Sequence, residues 1–172
     1  DTPEPYKKVQ SWLQVSYQNE TYHKVSPKFT LGAYLEAYYS SRNFSNNYTA
    51  TLMQAGEFTP TAHSKVTYNE AFRANQYAGV GAIPIYQLSE SFQLRGEFYG
   101  FVPIFPIKKD EYGQAYYGKA FTKFEYLGEI SLVFQLSFGS ISAYVNHYSS
   151  PSNDWNVGLT LGWQLFNSRF FE

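Results

Sequence analysis

The chain contains no cysteine, which excludes a disulfide framework and any thiolate metal site. Charge is scarce too: Asp, Glu, Lys and Arg make up 16% of the residues, against about 25% in an ordinary soluble domain. No apolar run approaches the roughly 18 residues of a membrane helix, and the mean hydropathy is only −0.40. A net charge of −1 and a pI near 6.4 give no long-range field to attract nucleic acid, so nucleic acid is not expected as a partner. No G-x-S-x-G elbow, P-loop, G-x-G-x-x-G or H-E-x-x-H motif occurs. His23, His63 and His147 are scattered without metal-ligand spacing and are read as surface histidines. No metal and no cofactor is expected.

What is abundant is aromatic and alternating. Aromatics reach 20% of the chain, with 17 Tyr and 15 Phe, residue types that suit strands and interfaces. Apolar and polar residues alternate with period two from end to end, and helical periodicity is nearly absent. The alternation predicts about eight strands: Lys7 to Glu20, Lys28 to Ser41, Tyr48 to Thr59, Tyr77 to Leu88, Phe92 to Ile107, Lys119 to Leu136, Gly139 to Tyr148 and Trp155 to Phe166. Such strands are as long as the roughly 9–11 residues of a tilted membrane strand. The usual soluble strand has about 5–6.

The connections alternate as well. Ser89-Glu90-Ser91 and the turn at Gly139 are short, whereas Thr61 to Gln76 and Lys108 to Gly118 are long and polar. Gln18 to Pro27 falls on the long side and Arg42 to Asn47 on the shorter one. Short turns at one rim and long loops at the other are the habit of outer-membrane barrels. An even strand count would place both termini at the short-turn rim.

One strand face carries Leu13, Leu35, Leu94, Phe98, Leu132, Phe134, Leu161 and Trp163; the other carries Glu36, Arg95, Glu97, Lys123, Glu125 and Glu129. Alternation alone does not say which face points outward, because a soluble barrel is apolar inside. The density of charge decides. A surface in bulk water carries about 25–35% charged residues, but here the second face is mostly Gln, Ser, Thr, Tyr and Asn with a few mixed charges. That composition suits a hydrated lumen, where Arg95, Glu97, Lys123, Glu125 and Glu129 can offset one another, with the leucines meeting lipid. The expected fold is therefore all-β: a transmembrane antiparallel up-and-down barrel spanning residues 1–172, with 1–6 as a polar lead-in. It is either a complete small barrel or the C-terminal half of one with about sixteen strands. The opening Asp1, without Met or a signal-type apolar stretch, is read as a removed leader or as a piece of a longer polypeptide.

The sharpest local pattern is "NHYSSPSND". His147 and Ser149 stand two apart at a strand end, a base and a hydroxyl in phase, the minimum for nucleophilic ester cleavage. The pattern resembles the H-x-S of outer-membrane lipid A deacylases. That family continues with Asn-Ala, where Ser150-Pro151 stand here. The plainer reading is a turn at the long-loop rim.

The stretches "YAGVGAIPIYQLSESFQLRGEFYGFVPI" and "FEYLGEISLVFQLSFGSISAYVNHYSSPSNDWNVGLTLGWQLFNSRFFE" resemble the C-terminal surface-antigen-type barrel of patatin-like outer-membrane phospholipases of Bacteroidetes-type bacteria. The resemblance is clearest over 77–172. It implies an upstream patatin domain with a Ser–Asp dyad, whose motifs lie outside this chain, so no catalytic residue transfers. It also implies a bacterial outer-membrane location. Its partners would be outer-membrane lipid and the remainder of the polypeptide or further barrel strands. The function expected is to anchor or display that phospholipase. The alternatives are a self-contained eight-stranded lipid esterase using His147 and Ser149, and a non-catalytic small barrel.

Overall fold

The computed structural model describes residues 11–45, 47–150 and 155–163; the 1–6 lead-in and the residues after Trp163 lie outside them. The strands are β1 (Gln14–Ser26), β2 (Phe29–Ser40), β3 (Gly56–Glu57), β4 (Arg73–Ala74), β5 (Gln76–Gln87) and β6 (Phe92–Pro103). They continue with β7 (Ile107–Lys109), β8 (Ala115–Tyr117), β9 (Glu125–Leu136), β10 (Gly139–Tyr148) and β11 (Trp155–Trp163). One helix, α1 (Tyr48–Gln54), and a 3-10 turn, Glu70–Phe72, complete the described elements. No helix among the described residues is long and apolar enough to cross a membrane.

Seven strands form one antiparallel meander in the order β1-β2-β5-β6-β9-β10-β11, and β3-β4 and β7-β8 are small two-stranded ladders. The all-β architecture and the antiparallel meander are as expected. Closure is not observed among the described residues: β1 and β11 each have a single neighbour in the sheet.

Three expectations are corrected. Tyr48 to Thr59 is not a third long strand. Asn47 caps a helix there, its side-chain oxygen accepting from Ala50 N at 2.7 Å, the usual start of a helix. Tyr48, Leu52 and Ala55 then stand at i, i+4 and i+7, and pack with Ile107 of β7. That helical stripe was hidden under an apparent alternation. Second, Gln18 to Pro27 is not a long connection. β1 runs to Ser26, paired with β2 as far as Phe29, and the turn is only Pro27-Lys28. β1 is an edge strand exposed on both faces, so Glu20 and Lys24 sit in it without burial. Third, the sixth expected strand begins at Glu125 rather than Lys119, after Phe121 turns the chain with φ of 55°.

The rims follow. Tight turns at 27–28, 88–91 and 137–138 lie at one end of the sheet, and the connections 41–75 and 104–124 with Ser149 and Ser150 at the other. With seven sheet strands among the described residues instead of the eight expected, β1 starts at the long-loop rim and β11 ends at the tight-turn rim.

The two faces of the sheet differ in cover. One is bare: Leu31, Leu35, Val80, Leu94, Ile130 and Leu132 are all exposed. The opposite face carries Tyr34, Tyr77, Tyr99, Leu127 and Tyr148, all buried under the connection 41–75. Phe58 and Phe72 of that connection seal it. Phe58 stacks on Phe101 at 5.5 Å and meets Tyr77 edge-on at 6.0 Å. The ring fits because Gly79 lies beneath it. A Cβ there would stand 2.1 Å from Cε2 of the Phe58 ring, which is itself 1% exposed and closely packed. Tyr99 likewise lies over its cross-strand partner Gly81, and Tyr22 over Gly32. In each pair an aromatic side chain fills the space that the glycine leaves open.

Phe58→Ala is expected to lower stability by about 3–5 kcal/mol and to open 58–74 to protease. Gly79→Val should evict the same ring, so the double variant should melt close to Phe58→Ala alone. Additive losses in thermal melts would show that the two residues act separately.

Candidate functional site

Beneath the sealing aromatics the covered face carries acid. Glu36 accepts from the hydroxyls of Tyr34 and Tyr77, the latter at 2.6 Å. Glu97 accepts from Arg95 Nε at 2.5 Å and from Tyr99 at 2.7 Å. Glu129, in register with both Glu97 and Asn146, accepts from Asn146 Nδ2 at 3.2 Å. Asn156 Nδ2 extends the row, donating to Asn146 Oδ1 at 3.2 Å. Arg95 also reaches Tyr22 on β1 at 3.3 Å. Every carboxylate in this layer is thus matched by tyrosine, asparagine or arginine donors, which is what burial of such groups requires. Among the described residues no group of His, Cys, Asp and Glu could hold a metal ion.

Lys123 and Glu125 stand higher, toward the long-loop rim, 3.5 Å apart, with Lys123 Nζ also donating to Ala71 O at 3.2 Å. The six charged residues read from the sequence therefore fall into two places. Glu36, Arg95, Glu97 and Glu129 lie in the covered layer, and Lys123 with Glu125 lies at the rim. The eight apolar residues read for the other face stand on its bare side: Leu13, Leu35, Leu94, Phe98, Leu132, Leu161 and Trp163 are exposed. Phe134 is half-buried against its cross-strand neighbour Phe92 at 4.6 Å.

His147 and Ser149 do not meet. The His147 ring lies on the bare face between Tyr126 (5.9 Å, stacked) and Trp155 (4.9 Å). Ser149 turns the other way: its Oγ accepts from Tyr126 N at 2.9 Å and donates to Glu125. The hydroxyl proton is committed to a carboxylate, and the imidazole is embedded among rings. His23 is exposed.

His63, read from the sequence as a surface histidine, is instead half-buried and fastens the connection 41–75 to the sheet. Its Nδ1 lies 2.9 Å from the Tyr148 hydroxyl and its Nε2 3.3 Å from Thr67 Oγ1, with the Tyr144 ring 5.6 Å away. Arg73 braces the same connection internally, against α1 and β3. Its guanidinium pairs with Glu57 at 2.6 Å, donates to Leu52 O at 3.3 Å and lies 4.7 Å over the Tyr68 ring. The one signal that could have revealed a folded-in segment is the set of glycines Gly32, Gly79 and Gly81 on the polar face, where a bulky partner is needed to fill the space.

No family model matches the chain, and no curated protein matches it.

Burial holds the His63 imidazole below its ordinary pKa, which is about 6.5. Because the folded value is lowered, docking is at full strength above that ordinary value. It weakens as pH falls from there through the folded value, where the released segment takes up the proton first. The protection of amides over 61–69, taken relative to the intrinsic exchange rate at each pH, should therefore be lower at pH 5 than at pH 7.5, and His63→Gln should flatten the difference. Equal pH dependence in the variant would assign the effect to another group.

Proposed function

We propose that this chain is a membrane-embedded part of a bacterial outer-membrane β-barrel, anchoring a patatin-like phospholipase domain carried upstream on the same polypeptide. The observation that carries the membrane reading is the inverted sheet. Leucine, isoleucine, valine and phenylalanine side chains stand bare along one face, while the carboxylates and amides of the other are covered by protein. A sheet facing water on one side shows the reverse, and contiguous apolar surface of this extent marks a lipid or protein contact. Tyr39, Tyr126, Trp155 and Trp163, all exposed, supply the ring-and-dipole side chains that favour the lipid–water boundary.

The unpaired edges support a larger assembly. β1 and β11 both run from the long-loop rim to the tight-turn rim, so they are parallel to one another. A barrel with every neighbour antiparallel then needs an odd number of added strands. One strand added to the seven makes eight, and nine make sixteen, the two sizes weighed from the sequence. In hydrocarbon, open edges leave backbone groups unsatisfied at several kcal/mol each, so those strands would come from the remainder of the polypeptide or from a partner.

The phospholipase assignment rests on the sequence resemblance alone, since no nucleophile is assembled among the described residues. Its partners on this reading are outer-membrane lipid and the missing strands, with no cofactor.

Leu132→Arg and Leu159→Arg should each cost about 2–4 kcal/mol in a bilayer, against less than about 0.5 kcal/mol at an exposed position in water. Denaturant titration of the protein in lipid separates the two cases. For the anchor role, a serine-directed fluorophosphonate should label a polypeptide containing this chain, at a G-x-S-x-G outside it. Labelling that disappears in Ser149→Ala would instead make the rim of this barrel the esterase.

A further inference from the structure

On the bare face, β6 presents Gly96, Phe98 and Gly100, and β9 presents Tyr126, Gly128 and Ile130. A ring on one strand therefore stands opposite a glycine on the other: Phe98 faces Gly128, and Tyr126 faces Gly100. A groove of about 840 Å³ lies over this boundary, a volume within the range of small-molecule sites. Gly128 forms its floor, with Val80 and Phe98 toward β5 and His147 and Trp155 toward β11. Gly128 differs from Gly79 and Gly81 in having room above it, since a Cβ there would come no closer than 3.5 Å to Phe98. Glu129, the one charged residue at the groove, turns its carboxylate to Asn146 on the covered face. His147 makes ring contacts but no hydrogen bond among the described residues. The groove is thus uncharged and open to the bare face, with one imidazole in its wall.

The loop above this groove is basic. Connection 104–124 joins β6 to β9 and carries four lysines against two acids, Asp110 and Glu111, a net charge of +2. Asp110 is committed to its own turn, accepting from Tyr112 N and Gln114 N. Lys123 is engaged with Glu125 and the Ala71 carbonyl. Lys108, Lys109 and Lys119 are exposed, and none is in an ion pair among the described residues. Gly118 N donates to Pro106 O, and Phe121 N to Ile104 O, which holds the returning arm of the loop against the stretch after β6. The Lys108 stem lies across Gly118, beside the backbone of Lys119. Phe124 then leads down into the groove, its ring over Gly100. From the rim toward mid-sheet the order is cation, aromatic ring, imidazole and apolar floor. Phosphate, ester and hydrocarbon follow one another in the same order in a phospholipid. We infer that the β6–β9 boundary binds an anionic phospholipid, one acyl chain on Gly128, its ester carbonyl at His147 and its phosphate at Lys108 and Lys119. Charge complementarity selects the headgroup, because a lysine near a bilayer surface favours an anionic lipid about fivefold. The groove selects the chain, for which a soluble phosphate has no counterpart. The inference rests on the membrane reading of the bare face.

The test is native mass spectrometry of the intact protein in detergent, titrated with phosphatidylglycerol or with phosphatidylcholine of the same acyl chains. The first phosphatidylglycerol adduct should form with a dissociation constant about fivefold or more below that of phosphatidylcholine. Lys108→Gln combined with Lys119→Gln should bring the two lipids level. Lys28→Gln at the tight-turn rim should leave the difference as it is. Gly128→Leu, for which the groove has room, should occupy the floor and abolish the preference while the protein still folds. Glycerol phosphate, which has the phosphate but no chain, should not displace the bound lipid. Equal affinity for the two lipids, a preference that survives either the lysine pair or Gly128→Leu, or displacement by glycerol phosphate would overturn the site. The two readings fail in different ways. Adducts of neither lipid would remove the membrane reading and the site together, whereas equal adducts of both would remove the site alone.

Discussion

Everything on the covered face depends on the seating of Phe58 over Gly79. Glu36, Glu97 and Glu129 can leave bulk water only if donors replace the water that solvated them, and Tyr34, Tyr77, Tyr99 and Asn146 supply those donors. The tyrosine rings are in turn held by the aromatic layer above. Phe58 touches Tyr34, Tyr77, Tyr99 and Phe101, and Phe72 stacks on Phe58. A glycine beneath the central ring lets the segment approach the sheet backbone. Any larger residue would lift the ring and expose the acid layer together.

The same sheet therefore solves two solvent problems at once. Its covered face satisfies polar groups internally, by the fold of 41–75. Its bare face presents hydrocarbon and leaves the matching environment to come from outside the chain. The unpaired β1 and β11 edges belong to the second problem, because backbone N–H and C=O groups in an apolar medium need strands as much as side chains need lipid. An odd number of further strands meets that need with every neighbour antiparallel.

At the rim the constraint is of a different kind. Arg73 is bound at once to the carboxylate of Glu57, to the Leu52 carbonyl and to the face of Tyr68. It links α1 and β3 through charge-assisted bonds, which are stronger than neutral ones, and covers the stretch before the 3-10 turn at Tyr68. His63 makes the parallel link to β10 by neutral bonds, and burial of its imidazole makes that hold respond to acid.

The period-two pattern by itself determined the all-β class, the sorting of Leu35, Leu94 and Leu132 against Glu36, Arg95 and Glu97, and most strand limits. β10 and the start of β11 fall where the alternation puts them, and β2 and β5 within one residue. These features are legible because side chains on a strand alternate faces whatever the rest of the chain does. α1 was not legible: so short a stripe as Tyr48, Leu52 and Ala55 is a weak signal until Asn47 is known to cap and Ile107 to receive them. The inward fold of 41–75, the split of the charged residues between an acid layer and a rim, and the separation of His147 from Ser149 were decided by tertiary structure alone. Each depends on which distant backbone a side chain meets, as Phe58 meets Gly79, Ser149 meets Glu125 and His63 meets Tyr148. A local pattern of polar and apolar residues carries no information about such long-range partners.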